Sequence, residues 1–214
     1  MKKITALLLA LVMVFALVAC GSSDAGSTTP AQESTTAAPA QESTTATTQT
    51  AEAADPEGGF EEIEIWADEE VGFLNVNGVY FQPVPMSGGF ENYEDYNLHF
   101  EADVSALPND LGYGVGDWVP YMKVDYELTG KNSGTVISGT FMPMNADDGN
   151  HYGNNLKMDV ADTYSVKLTF HSPAESGFLI HLDDETGPGG SFDDFSWPLV
   201  LQLDDVWDYT PMEW

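Results

Sequence analysis

The sequence of residues 58–214 predicts an all-β domain, an immunoglobulin-like antiparallel β-sandwich. Apolar and polar residues alternate at period two, clusters of Gly, Pro, Asn and Asp separate the alternating runs, and no helical periodicity intervenes. Seven or more short strands of this kind are typical of two packed antiparallel sheets. A closed barrel is the alternative, because alternation does not count sheets.

The alternating runs recur along the domain, and each predicts a strand with one apolar and one polar face. In the second run, for example, Leu98 and Phe100 alternate with His99 and Glu101. The apolar members are expected in the core. In chain order, the predicted strands cover residues 63–65, 98–104, 122–128, 135–141, 164–170 and 199–203.

Residues 1–20 are predicted to be a lipoprotein signal peptide. Lys2 and Lys3 precede an apolar stretch that is short for a membrane span, and the stretch leads into Leu-Val-Ala-Cys, ending at Cys20. We expect lipidated Cys20 to anchor the mature chain to the cell membrane on its extracytoplasmic side. Cys20 is the only cysteine, so the exported domain must fold without a disulfide.

Residues 21–57 are predicted to be a disordered linker. They consist mainly of Ser, Thr, Ala, Gln, Glu and Pro, and the octapeptide Pro-Ala-Gln-Glu-Ser-Thr-Thr-Ala occurs twice. Such a composition cannot bury a core. A coil of this length spans on the order of 30 to 36 Å root-mean-square, which would hold the domain off a membrane.

The chain is strongly acidic, with six lysines, no arginine and 35 acidic residues, for a formal net charge of −29. Such a surface repels nucleic acid and attracts cations, so we expect no nucleic-acid partner. The charge alone does not establish cation binding, because acidic surfaces also keep proteins soluble.

Side chains suited to a metal ion come from three separate segments. Met144 and His151 flank an Asp-Asp-Gly-Asn turn, His99 and Glu101 lie about 6.6 Å apart on one face of a predicted strand, and His181 opens an acidic run. A thioether with imidazoles and a carboxylate favours copper over zinc, because zinc sites rarely use methionine. The pattern predicts one shared site.

Each of these residues also has a simpler explanation. Met144 could fill the core, His99 could lie on a solvated polar face, and His151 and His181 could be surface loop residues. The fourth histidine, His171, continues the outward face of a strand, and we assign it no function.

Two other classes of protein compete with a metal-binding one. Five tryptophans on a stalked domain would suit a surface adhesin or glycan-binding module, in which exposed rings stack on sugars. Paired carboxylates would suit a hydrolase, but 35 acidic residues make some pair inevitable. No nucleophile elbow or phosphate-binding glycine loop occurs in the sequence, and we expect no enzyme.

Most of the domain resembles a known family. In order and spacing, six motifs are similar to those of the periplasmic copper-binding proteins that accompany bacterial high-affinity iron permeases. The motifs are GVYFQPVPM (78–86), LHFEADV (98–104), GDWVPY (116–121), GTFMPM (139–144), DGNHYG (148–153) and HLDDETG (181–187).

The resemblance implies a copper site formed by His99, Glu101, Met144, His151 and His181. It also implies homodimers with metal sites near the subunit interface, and a role in supplying iron to a membrane permease. Asp148 matches an acidic position close to the family site. It is therefore a candidate for supporting the copper ligands or for holding iron or manganese at an adjacent site.

Two positions depart from the family pattern: Asn150 stands where proline is usual, and Ile180 stands where arginine is usual. The missing arginine removes a positive charge beside the site, which bears on how iron or a partner is handled.

Overall fold

Two antiparallel sheets form the domain, as the sequence predicts. The computed structural model describes residues 61–89 and 91–214. In chain order the strands are β1 (Ile63–Val71), β2 (Leu74–Phe81), β3 (Leu98–Ala106), β4 (Val124–Gly130), β5 (Val136–Thr140), β6 (Met142–Asn145), β7 (Asn150–Leu156), β8 (Asp162–Phe170) and β9 (Leu199–Tyr209).

The two sheets have the strand orders β1-β2-β3-β7-β6 and β5-β4-β8-β9, with antiparallel neighbours. Helical structure within residues 61–89 and 91–214 consists of three short 3₁₀ turns, at Tyr93–Asp95, Pro173–Ser176 and Phe192–Asp194. No helix in these residues is long and apolar enough to cross a membrane.

Aromatic rings fill the core between the sheets. Phe100 of β3 lies at its centre, with ring centroids 5.1 Å from Phe141 and 5.2 Å from Trp207. All five tryptophans lie in the described residues; Trp66 and Trp207 are buried, Trp118 and Trp197 are half-buried, and Trp214 alone is exposed. Most of the indoles therefore face inward, where they cannot stack on a sugar.

Three strands were not predicted from the sequence: β2, β6 and β7. In β7, Asn and Gly occupy four of seven positions, and both residue types are depleted in strands. The strand nevertheless lies between β3 and β6 and is buried on both faces. Local propensity is overridden here by pairing on both sides.

The predicted signal peptide, the lipidated Cys20 and the whole predicted linker (residues 21–57) fall on residues that lie outside those described. They stay predictions.

Candidate metal centre

β3 presents two of the predicted ligands on the same face. His99 Nε2 lies 3.3 Å from Glu101 Oε1, while Leu98 and Phe100 enter the core from the opposite face. Alternation predicts this arrangement. The face that carries them is not solvated, because His99 is 0% and Glu101 3% exposed.

β7 brings the third ligand to the same point. It pairs with β3 so that Gly153 lies opposite Glu101, and His151 Nε2 lies 2.9 Å from Glu101 Oε1. His151 is 3% exposed. One ligand atom from each of His99, Glu101 and His151 lies within 4.8 Å of the others, so one ion can contact all three.

The two Nε2 atoms are available to a metal. Both are buried, and within the part of the chain that the structure describes their contacts with Glu101 Oε1, at 3.3 and 2.9 Å, are ion-pair contacts without hydrogen-bond geometry. A buried polar atom normally has a partner, and a bound cation would provide one for each imidazole. The site therefore fits a metal held by His99, His151 and Glu101.

Asn155, which the sequence analysis missed, positions His99. Its Oδ1 lies 3.0 Å from His99 Nδ1 and also accepts a hydrogen bond from Val84 N, while its Nδ2 donates to Val84 O and to Glu91 Oε1. Since Oδ1 can only accept, His99 Nδ1 carries the proton and Nε2 keeps the lone pair that a metal needs.

Asn155 has a second effect. Its bonds to both backbone groups of Val84 fasten the segment after β2 against the site. The sequence signal that could have revealed it is period two, because His151, Gly153 and Asn155 share one face of β7.

Gly153 leaves the space in which the ligands meet. A Cβ at this position would lie 2.8 Å from His99 Nε2 and 3.0 Å from the backbone oxygen of Phe100. Any side chain would therefore displace the imidazole or the strand. Glycine is required here by close approach.

Met144 lies opposite His151 in the β6–β7 pairing, and the two flank the predicted turn. It is partly exposed and is not in the core, contrary to the simpler explanation for this residue. With the buried ligands, it lines a cavity of about 630 Å³. The other lining residues are Phe81, Val84, Pro85, Met86, Ser87, Met142, Pro143, Asn145, Ala146 and Asp147.

His181 does not join this group within one chain. Its side chain is 73% exposed, and its Nδ1 lies 2.7 Å from Thr186 Oγ1. It is flanked by Leu182 and, two residues earlier, Leu179, which are 75% and 84% exposed. His171 lies near neither the buried ligands nor His181. Its Nε2 is 2.9 Å from Oδ2 of Asp125, which belongs to the other sheet.

Burial and ion pairing have opposite effects on the pKa values of Glu101 and His151. Burial raises the pKa of Glu101, but the imidazoles of His151 and His99 outweigh it and hold the pKa below its ordinary value. Burial lowers the pKa of His151, but Glu101, then Asp103 and Asp148, raise it above its ordinary value. The metal-free site therefore favours a negative carboxylate beside a positive imidazole.

A second set of carboxylates adjoins the ligands. Burial raises the pKa of Asp103 to about 6, with Glu101 and Asp148 adding to the rise and His151 opposing it. Glu62, although exposed, is partly desolvated, and this effect together with Asp148, Glu101 and Asp103 raises its pKa to about 7. These acids repel one another, and a cation among them would relieve the repulsion. Glu62, just before β1, was not predicted.

A family model described as Fe2+ transport protein matches residues 59–210. Among curated proteins, the 34 kDa membrane antigen of Treponema pallidum is 44% identical over 161 residues, which cover 72% of this chain and 78% of that protein. A UPF0423 protein of Brucella abortus is 41% identical over 138 residues, covering 62% of this chain and 76% of its own length.

Two solved structures share the fold. The copper-reconstituted P19 protein of Campylobacter jejuni superposes with a TM-score of 0.65 at 33% identity, covering 73% of this chain and 99% of P19. A copper-bound variant of FetP from uropathogenic Escherichia coli strain F11 gives a TM-score of 0.64 at 30% identity, covering 72% and 96%.

Proposed function

Because the chain belongs to the Fe2+ transport protein family, we propose that it is an extracytoplasmic protein that binds copper and assists iron uptake through a membrane permease. The observation that carries the proposal is the convergence of buried His99, Glu101 and His151 beneath a cavity lined by Met144. The copper-bound state of the P19 and FetP structures supports the choice of metal.

The donor set itself favours copper. Two imidazoles with a thioether are unusual for zinc, whereas imidazole and thioether ligands both suit copper. Glu101, with its lowered pKa, supplies a negative charge that offsets the charge of the ion. His99, His151 and Met144 would hold the copper, with Glu101 binding it or bridging to a neighbouring cation.

His181 would complete the site from a second copy of the chain. It is too exposed to belong to the buried group of its own chain, and the exposed Leu179 and Leu182 beside it form an apolar surface that association would cover. A homodimer in which each His181 reaches the partner's cavity accounts for both facts. Lipidation of Cys20 would hold this dimer at the cell membrane.

The adjacent acids would hold a harder cation, iron(II) or manganese(II). Carboxylate oxygens suit such ions, and Asp148 lies close enough to raise the pKa of both Asp103 and Glu62. Iron could then be held beside copper before transfer to the permease. Manganese(II), which is stable in air and visible by paramagnetic resonance, should bind there and should bind less tightly to Asp148→Asn.

Copper titration of residues 21–214 tests the proposal. We expect submicromolar binding by the wild type, loss of binding in His151→Ala and weaker binding in Met144→Leu. His171→Ala is the matched control, because its imidazole bonds to Asp125 on the other sheet, and it should bind like the wild type. A wild-type protein that is indifferent to copper would refute the proposal.

Sedimentation of the same proteins tests the homodimer. We expect a dimer for the wild type, with His181→Ala remaining dimeric but binding copper more weakly. A monomeric wild type with the full copper affinity would show that His181 is not a ligand.

A further inference from the structure

Five of the six methionines in the described residues fall into two groups. Met122 and Met158 are 5% and 0% exposed and fill the core, as methionine usually does. Met86, Met142 and Met144 are partly exposed instead, and all three line the cavity above the buried ligands. A core role does not explain this second group.

Sheet register places Met142 in line with the buried ligands. Met142 lies opposite Gly153 in the β6–β7 pairing, and Gly153 lies opposite Glu101 in the β7–β3 pairing. Directly opposed residues share one face of a sheet, so Met142 and Glu101 flank a position with no side chain. A Cβ at Gly153 would lie 2.8 Å from His99 Nε2, so the residue between Met142 and Glu101 in the register borders that imidazole directly.

The third sulfur comes from a different segment. Met86 lies two residues after Val84, whose backbone is held by Asn155, and it lines the same cavity from the side of the β2–β3 connection. Met142 and Met144, at i and i+2 of β6, share one face of that strand. Thioethers from two segments thus border one cavity, with the imidazoles buried below them.

We propose that Met86, Met142 and Met144 form a thioether site for Cu(I) at the rim of the cavity, above the imidazole and carboxylate site. Soft thioether ligands select Cu(I), whereas imidazole and carboxylate also suit Cu(II). The inference rests on the proposed function, since it assigns a second position for the same metal. It adds Met86 and Met142, which the copper proposal does not need.

The test compares the two oxidation states of copper in residues 21–214. Cu(I) affinity is measured anaerobically by competition with bicinchoninate, and Cu(II) affinity by competition in air, for Met86→Leu, Met142→Leu and the double variant. Leucine keeps the volume and apolar character of the lining. Met212→Leu is the matched control, because Met212 is exposed and lies outside the cavity.

We expect each single variant to lose Cu(I) affinity by roughly tenfold or more, the double variant to lose more, and Cu(II) affinity to change little. X-ray absorption of the Cu(I) protein should show two or more sulfur neighbours. Cu(I) affinities equal to that of Met212→Leu, equal losses for both oxidation states, or a single sulfur neighbour would overturn the inference. A wild type that binds neither state would refute the proposed function as well, whereas Cu(II) binding with unaltered Cu(I) binding in the variants would refute the thioether site alone.

Discussion

Glu101 Oε1 lies 2.9 Å from His151 Nε2, with both side chains almost fully buried. In the metal-free protein this contact raises the pKa of His151 above its ordinary value. Copper binds only the neutral imidazole, so it must displace a proton that Glu101 stabilises. The metal and the proton therefore compete for the same nitrogen.

Copper binding should consequently release protons near pH 7. The sequence alone predicts that affinity falls as pH drops through roughly 6.5, the unperturbed histidine value. The raised pKa of His151 moves the start of that fall to higher pH. Calorimetry in buffers of different ionisation enthalpy measures the number of protons released.

Glu101→Gln is the informative variant in that experiment. It removes the charge that raises the pKa of His151 but keeps the size of the side chain. We expect fewer protons released at pH 7 and retained copper binding, since both imidazoles and Met144 remain. Equal proton release by the wild type and Glu101→Gln would show that Glu101 does not raise the pKa of His151.

Asn155→Leu should weaken copper binding by about 10 to 100-fold, the usual effect of losing a partner that orients a metal-binding histidine. His99 Nδ1 would lose its acceptor, and Val84 both of its side-chain hydrogen bonds. Nitrogen NMR of the imidazole should show His99 protonated at Nδ1 in the wild type and a mixture of tautomers in the variant.

The neighbouring Asn154 provides the control for this substitution. It points away from the site and donates to Thr140 O, so Asn154→Leu should keep both the His99 tautomer and the copper affinity. A wild-type tautomer in Asn155→Leu would contradict the assigned role.

Gly153→Ala should lose copper affinity by roughly tenfold or more and destabilise the fold by about 1 to 3 kcal/mol, because the new Cβ overlaps His99 and the β3 backbone. Gly139→Ala is the comparison. Gly139 and Tyr126 both lie in the sheet that does not carry the ligands, and a Cβ at Gly139 would lie 2.5 Å from Tyr126 Oη. This variant should therefore lose stability but keep its copper affinity. Full copper affinity in Gly153→Ala would show that the site tolerates a side chain there.

Asp103→Asn should stabilise the metal-free protein at pH 7.5 by about 3 kcal/mol. The folded pKa of Asp103 is about 6, above its ordinary 3.8, so its ionisation opposes folding progressively as pH rises from about 4 to 6. The gain should shrink as pH falls and approach zero near pH 3, where the carboxyl is largely protonated in both states. Urea unfolding at the two pH values measures it.

Asp125→Asn should have the opposite effect on stability at pH 7.5. Burial raises the pKa of Asp125, but Lys123, Thr140 and His171 outweigh burial and lower it, so its charge stabilises the fold above the ordinary value. The variant should be less stable at pH 7.5, and the difference should fade as pH decreases. A shift of stability in the same direction by Asp103→Asn and Asp125→Asn at pH 7.5 would refute the opposite pKa shifts assigned to these two carboxyls.

Much of the site followed from alternation in single segments. Period two placed His99 and Glu101 on one face of β3, and the Asp-Asp-Gly-Asn turn brought Met144 opposite His151. These relationships are local, because a strand determines on which side a residue lies and a short turn determines which residues it pairs.

Only the tertiary structure showed which strands are neighbours and how deeply the site lies. The β3–β7 pairing joins His99 and His151 across 52 positions of sequence, gives Gly153 and Asn155 their roles, and encloses a carboxylate that the sequence left on a polar face. The tertiary structure also places His181 on the surface, apart from His99, Glu101 and His151. Side-chain periodicity carries no record of pairing between distant segments, since that choice depends on burying both faces of the sheets at once.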